Sequence, residues 1–382
     1  MNVLNIVIAI DSFKGSLSSQ AAADAIRRGI LSVDETVNIT AIPVADGGEG
    51  TVDTLVSGLR GEMISVTVTG PLGTPVTARY GWLPEQQTAV FEMAQAAGLP
   101  LVPDHLRNPL YTTTYGVGQL LKDSLDRGYR RFLLGIGGSA TNDCGLGMLQ
   151  ALGCRFLDQY GLPTGYFGRD VDAVAAIDLS GLDPRLKECE ILAACDVTNP
   201  LCGPNGASYI FAPQKGASPE VVERMDAAHQ KFSNLVKDTQ GIDAADFPGA
   251  GAAGGLGFAL KAFLNAEMRS GVSLVLDTLN FDETVKTADL VITGEGRLDH
   301  QSAMGKLPSG VARYAKHHGK PVVALCGCVT EGAAACSEAG IDAYFPIPAG
   351  PCTLDEAMDA ETAAKNLTRT AAQVYRLFTI GN

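Results

Sequence analysis

Residues 5–10, NIVIAI, form an apolar run that stops at Asp11 and gives way to the glycine-bearing loop DSFKGSLSS. A run that does not alternate polar with apolar fits a strand covered on both faces, as in parallel sheets flanked by helices. SLSSQAAADAIRRGI then reads as a helix with Ser18 or Ser19 as N-cap, VNITAIPV as a second strand, and GGEGTVDTLVSGL as a second helix. That βαβα rhythm is the signature of a parallel α/β sheet. Near residue 62 it breaks: MISVTVTGPLGTPVTARYGWL and TAVFEMA alternate around Gly/Pro turns, as hairpin strands do. From about residue 112 the α/β pattern resumes, through the strands RFLLG, CRFLD, ILAACDV, LVIT and VVALCG and the helix LPSGVARYAKHHG. The expected architecture is a Rossmann-like parallel-sheet domain made from both ends of the chain, residues 1–62 plus 285–382. A second, mixed α/β domain is inserted over residues 63–284.

At 382 residues the chain can bury two cores, and 46% hydrophobic with 19% charged residues marks a compact fold. Forty-two acidic against 29 basic residues leave a net charge of −13, which disfavours nucleic acid and anionic membrane as partners. The apolar N-terminal run is too short to span a bilayer, and a cytoplasmic protein is expected. Nine cysteines without CxxC or zinc spacing read as reduced thiols; the five histidines are equally dispersed, and His300, His317 and His318 read as surface residues. Trp82 and Tyr80 read as core. Small-molecule substrates remain as partners, and a homodimer is compatible with the sequence.

The chemistry sits in the loops. GIGGSATNDCGLG, residues 135–147, follows a strand and precedes a helix, and Gly135, Gly137 and Ala140 satisfy the G-x-G-x-x-G/A spacing of a dinucleotide fingerprint, with Asp158 placed for a ribose. An NAD-dependent oxidoreductase is therefore one reading, a non-catalytic metabolite sensor another, and glycines placed only for close packing a third. Asp143 weighs against a bare pyrophosphate, because two anions repel unless a cation intervenes. No G-x-x-x-x-G-K-[ST] occurs, so a P-loop is excluded. Other strand ends carry Asp11, Asp46 with Glu49, Asp196 and Glu295, and the same loops carry Lys14, Lys215, Arg297 and Lys306. Carboxylates and ammonium groups among glycines at the carboxyl ends of strands are what phosphoryl transfer requires: one set for Mg²⁺ and the acceptor proton, the other for phosphate charge. Asp11 and Asp46 have the duller alternative of capping helices.

Taken in order, DSFKGSLS, PVADGGEGT, TTYGVGQL, GIGGSATND, DVTNPLCG, PQKGA, GAGAAGGLG and TGEGRLDHQS…GK resemble the class I glycerate kinase family across essentially the whole chain. The resemblance implies an ATP-dependent glycerate 2-kinase: D-glycerate and ATP as substrates, Mg²⁺ as cofactor, 2-phosphoglycerate and ADP as products. It also displaces the oxidoreductase reading of residues 135–140. Matched to those motifs, Asp196 is expected as the base and Lys14 as its catalytic partner. Ser16, Ser139, Asn142, Asp143, Asn199, Lys215, Lys306 and Asp299 are expected at substrate or nucleotide, and Asp46 and Glu295 at the metal. Ile10 stands in place of the usual proline, and Cys144 in place of a usual glycine, which puts a side chain where backbone would approach a ligand.

Overall fold

The computed structural model describes residues 3–45, 47–48 and 50–380. It divides into two compact units, Met1–Asp46 with Val272–Asn382, and Gly47–Gly271. The division lies outside the expected boundaries of 62 and 285 for a local reason. The helix Thr51–Gly58, which the opening rhythm assigns to the first unit, lies on the strand Pro75–Leu83, where a Cβ added to Gly81 would come within 2.5 Å of Val56. Its second N–H, from Val52, donates to the buried Glu92 carboxylate at 2.9 Å.

In the first unit five strands are all parallel, ordered Ala343–Pro346, Val322–Cys326, Leu290–Thr293, Asn5–Ile10, Asn38–Pro43. Counted along the chain this is 2-1-3-4-5, a doubly wound order. Asn5–Ile10 is an interior strand, with Ile6 opposite Leu290 on one side and Ile39 on the other. Ile6, Ile8 and Ile10 are fully buried among Ala22, Ile26, Ile30, Leu367 and Tyr375. Helix Ser19–Leu31 supplies the first three of these partners at helical spacing, starting where Ser18 Oγ accepts the Ala21 N–H at 3.2 Å. Gly29 lets it meet helix Ala360–Thr379, since a Cβ there would lie 2.2 Å from Thr368 O.

In the second unit six strands run Glu267–Arg269, Glu190–Ala194, Arg131–Gly135, Thr88–Glu92, Pro75–Leu83, Glu62–Thr69. The first four are mutually parallel and the last two form the hairpin the sequence predicts. Tyr80, Phe91 and Phe132 fill its core; Tyr80 is fully buried and its hydroxyl donates to Asp123 at 2.7 Å. Trp82 stacks on Tyr129 with ring centroids 3.7 Å apart. No helix among the described residues is long and apolar enough to cross a membrane, and all nine cysteines are free thiols.

Candidate active site

A 2-1-3-4-5 sheet opens a crevice beyond the carboxyl ends of strands 1 and 3, where the connections diverge to opposite faces. In this chain those strands end at Ile10 and Thr293; Asp11 follows the first directly, and Glu295 follows the second after Gly294. The Asp11 N–H donates to Gly294 O at 3.0 Å, which joins the two loops. The first loop folds back on itself through Phe13 N–H to Leu17 O (2.8 Å) and Ser16 N–H to Phe13 O (2.7 Å), with Gly15 at φ +78° making the turn. In the second, a Cβ on Gly294 would lie 1.9 Å from Leu325 O, so only glycine fits. Between them is a cavity of about 440 Å³ lined by Asp11, Lys14, Ser16, Glu295, Arg297, Asp299 and Lys306, among others.

Asp11 and Glu295 are buried at this mouth, while Lys14 and Arg297 are exposed. Asp11 caps no helix; its Oδ1 accepts the N–H of Ser12 at 2.7 Å. Ser16 Oγ is buried and lacks a protein partner, so its hydroxyl is available to a ligand. Asp299 divides its oxygens: Oδ1 accepts N–H bonds from Gln301 (2.9 Å) and Ser302 (3.3 Å), and Oδ2 lies 3.6 Å from Arg297 Nε. Lys306 is half-buried at the start of helix Leu307–His317. His318 pairs with Asp282 at 2.8 Å, away from the cavity lining. The anionic donors on this lining are the carboxylates of Asp11, Glu295 and Asp299; it carries no imidazole, and the exposed Cys328 is its one thiol. Among the described residues no group of three His, Cys, Asp or Glu could hold a metal ion by itself. One or two carboxylates completed by phosphate oxygens is the arrangement Mg²⁺ accepts, so the residues fit a nucleotide-borne ion.

In the second unit the loop of residues 135–147 is built from the inside. The Asp143 carboxylate is fully buried and takes four donors: Thr114 N–H and Oγ1–H, both at 2.8 Å, Gly145 N–H at 3.2 Å and Gly147 N–H at 3.3 Å. Burial raises its pKa, and those donors pull it back. The structure therefore makes Asp143 the brace of its loop rather than a group presented to a ligand. Gly145 and Gly147 also begin the helix Leu146–Ala151, so the N–H groups a dinucleotide pyrophosphate would need are already engaged by a carboxylate. Asp158 is likewise occupied, holding a turn through Tyr160 N–H and Leu162 N–H.

Lys215 comes from the short turn Pro213–Lys215 and is almost wholly buried; its ammonium donates to Ser139 Oγ at 2.8 Å and Thr141 O at 2.6 Å. Burial pushes it down to about 7, against the opposing pull of Asp143. Asn142 is buried, its side-chain amide nitrogen donating to Ser208 Oγ at 3.0 Å, while its backbone carbonyl lies 3.2 Å from His229 Nε2. His229 is held down to about 4, chiefly by burial. Cys144 adopts φ +51°, the left-handed region where glycine is unstrained. Its buried sulfur faces Gly255, 2.8 Å from the position a Cβ would take there, so the side chain turns inward and does not reach a ligand surface.

Asp196 and Asn199 follow the neighbouring strand Glu190–Ala194. Asp196 is exposed and accepts the Gly271 N–H at 3.0 Å; Asn199 Nδ2 donates to Asn205 O at 2.8 Å. Asp46 and Glu49 lie outside the described residues. The structure thus gathers Lys14, Ser16, Glu295, Asp299 and Lys306 around one cavity. It gathers Ser139, Asn142, Asp143 and Lys215 around one loop, and leaves Asp196 and Asn199 at the adjacent strand end. Sequence reasoning missed Thr114, although TTYGVGQL was the signal for it, and His229, for which the sequence offers none.

The model of the glycerate kinase family matches residues 6–379. A glycerate kinase of Halalkalibacterium halodurans is 50% identical over 95% of this chain and 97% of its own length. The glycerate 2-kinase of Escherichia coli K12 is 46% identical over 99% of both. The crystal structure of a Salmonella typhimurium LT2 protein, provisionally named glycerate kinase 2, superimposes with a TM-score of 0.91 at 45% identity, covering 100% of this chain and 99% of that one. With the motif-bearing loops at the strand ends and relatives matched from end to end, this chain belongs to the glycerate kinase family.

Proposed function

We propose that the protein transfers the γ-phosphoryl group of ATP to O2 of D-glycerate, giving 2-phosphoglycerate and ADP. Family membership supports the reaction class, and the name of the Escherichia coli relative supports O2 as acceptor. The observation that carries the reading is the cavity at the switch point, where Lys14, Arg297 and Lys306 stand beside Asp11 and Glu295. Cations there neutralise phosphate oxygens, and a carboxylate pair suits the magnesium that accompanies ATP, which would offset charge on the β- and γ-oxygens. Glu295 is the assigned metal ligand among the described residues, and Asp46 is kept from the sequence. Asp196 is assigned as base: as the glycerate hydroxyl oxygen bonds to the γ-phosphorus and the bond to the β-bridging oxygen breaks, the hydroxyl proton passes to its carboxylate. Lys14 holds the transferring phosphoryl group, with Ser16 and Lys306 beside it. Lys215, bonded to Ser139 Oγ and the Thr141 carbonyl, braces the loop that presents Ser139 to the glycerate carboxylate, and Asn199 orients the Asp196 loop. Free thiols fit a cytoplasmic location.

The oxidoreductase reading fails on Asp143, which already occupies the helix N-terminus a dinucleotide would use. A coupled ADP assay over a panel of hydroxy acids tests the proposal. ADP release that requires both glycerate and Mg²⁺ is the expected result. Glycerate binding without turnover would make the protein a sensor, and NADH binding would restore the dehydrogenase.

A further inference from the structure

The switch-point cavity has a second wall with no charge on it. The helix Leu354–Met358 is fixed at its start by a reciprocal cap, Glu356 N–H to Thr353 Oγ1 at 3.3 Å and Thr353 N–H to the Glu356 carboxylate at 2.8 Å. Beyond its end, Asp359 caps the helix Ala360–Thr379 by accepting the Thr362 N–H at 2.9 Å. Held at both ends, the helix turns Leu354, Ala357 and Met358, spaced i, i+3, i+4, toward the cavity, and all three line it. Met358 reaches the turn that bears Lys14: a Cβ on Gly15 would lie 2.7 Å from its terminal methyl. Yet Leu354 is 72% exposed and Met358 38% exposed, and neither belongs to the cluster built on Ile6, Ile8 and Ile10. An apolar face directed into a cavity and left uncovered by the core is arranged for something that enters it.

A three-carbon hydroxy acid has no apolar surface to place there and would fill only part of 440 Å³, a volume within the usual range for small-molecule sites. A nucleoside triphosphate matches both walls, with a flat base of low polarity at one end and several negative charges at the other. We propose that Leu354 and Met358 seat the base of the nucleotide, while Lys14, Arg297 and Lys306, which line the same cavity, take its phosphates. The inference rests on the phosphotransfer reading and adds to it the identity of this cavity's occupant. The Met358 thioether is suited to the role, being polarisable and adaptable against an aromatic ring.

Calorimetric titration with ATP and with inorganic tripolyphosphate separates base from phosphate. Met358→Gln and Leu354→Ser, both at exposed positions, are expected to raise the Kd for ATP about tenfold, the loss of one good apolar contact. The Kd for tripolyphosphate stays within about twofold, and Met358→Leu restores ATP binding. Equal weakening of both ligands, or unchanged ATP affinity with a raised KM for glycerate, would overturn the assignment. Glycerate-dependent ADP release by the unaltered protein reports separately on the phosphotransfer reading, so the two can fail independently.

Discussion

The chain carries its cations in two opposite ways. At the switch point Lys14 and Arg297 stand exposed on the lining of a cavity, within reach of solvent. In the inserted unit Lys215 is sealed inside, its ammonium engaged by Ser139 and the Thr141 carbonyl and drawn down to about 7. Exposed charge costs the fold little and can be committed to binding, whereas buried charge is tied to stability and pH. The same residue type therefore gives different responses to mutation in the two places.

Lys215→Met tests the buried side with the largest effect. The folded-state pKa lies below the unfolded one, so between about pH 7 and 10.5 the unfolded chain holds a proton that the folded chain has lost. Stability of the parent relative to the variant should rise across that window and be flat below it, by on the order of 5 kcal/mol in the limit. Denaturant titrations of both proteins at several pH values check this, and a gap independent of pH would remove the distinction between the regions. Asp196→Asn should lower kcat by about 10³-fold and leave the KM for ATP within about twofold, as loss of a general base does. Unaltered turnover would end that assignment.

Asp143→Asn keeps the shape and deletes the charge, which turns an amide toward N–H and O–H donors that need an acceptor. A loss of about 3 kcal/mol in urea-induced unfolding is expected, the scale for a buried network left unsatisfied. A drop in activity at full stability would instead return Asp143 to the ligand. Lys14→Met should do the reverse, lowering kcat/KM by about 10²-fold with an unaltered unfolding midpoint. Smallest of all, Cys144→Gly relieves left-handed strain and loses a buried sulfur. Its unfolding free energy should stay within about 1 kcal/mol of the parent, with activity retained.

Much of this was legible in the sequence because it depends on short-range pattern. NIVIAI predicted a doubly covered strand, Ser18 or Ser19 a helix start, and the Gly/Pro turns after residue 62 a hairpin. Asp11 and Glu295 were expected at strand ends, and the sheet order makes those ends adjacent. What spacing could not supply is direction. The motif containing Asp143 is the same whether its carboxylate faces solvent or Thr114, and that choice is made by a partner 29 residues away. Helix Thr51–Gly58 follows the βα rhythm of the first unit yet packs with the second, because Glu92 and Gly81 receive it there. The five-residue helix Leu354–Met358 was too short for periodicity to reveal, so the apolar wall of the cavity emerged only from the structure.

The central claim, phosphoryl transfer from ATP to the C2 hydroxyl of glycerate, is tested most directly by proton-coupled phosphorus NMR of a completed reaction. A phosphate ester on O2 couples to the single C2 proton and splits into a doublet, and the account predicts that doublet growing as the γ-phosphate signal of ATP disappears. A triplet from the C3 methylene would move the reaction to O3, and loss of the γ-signal to inorganic phosphate alone would contradict transfer to glycerate altogether.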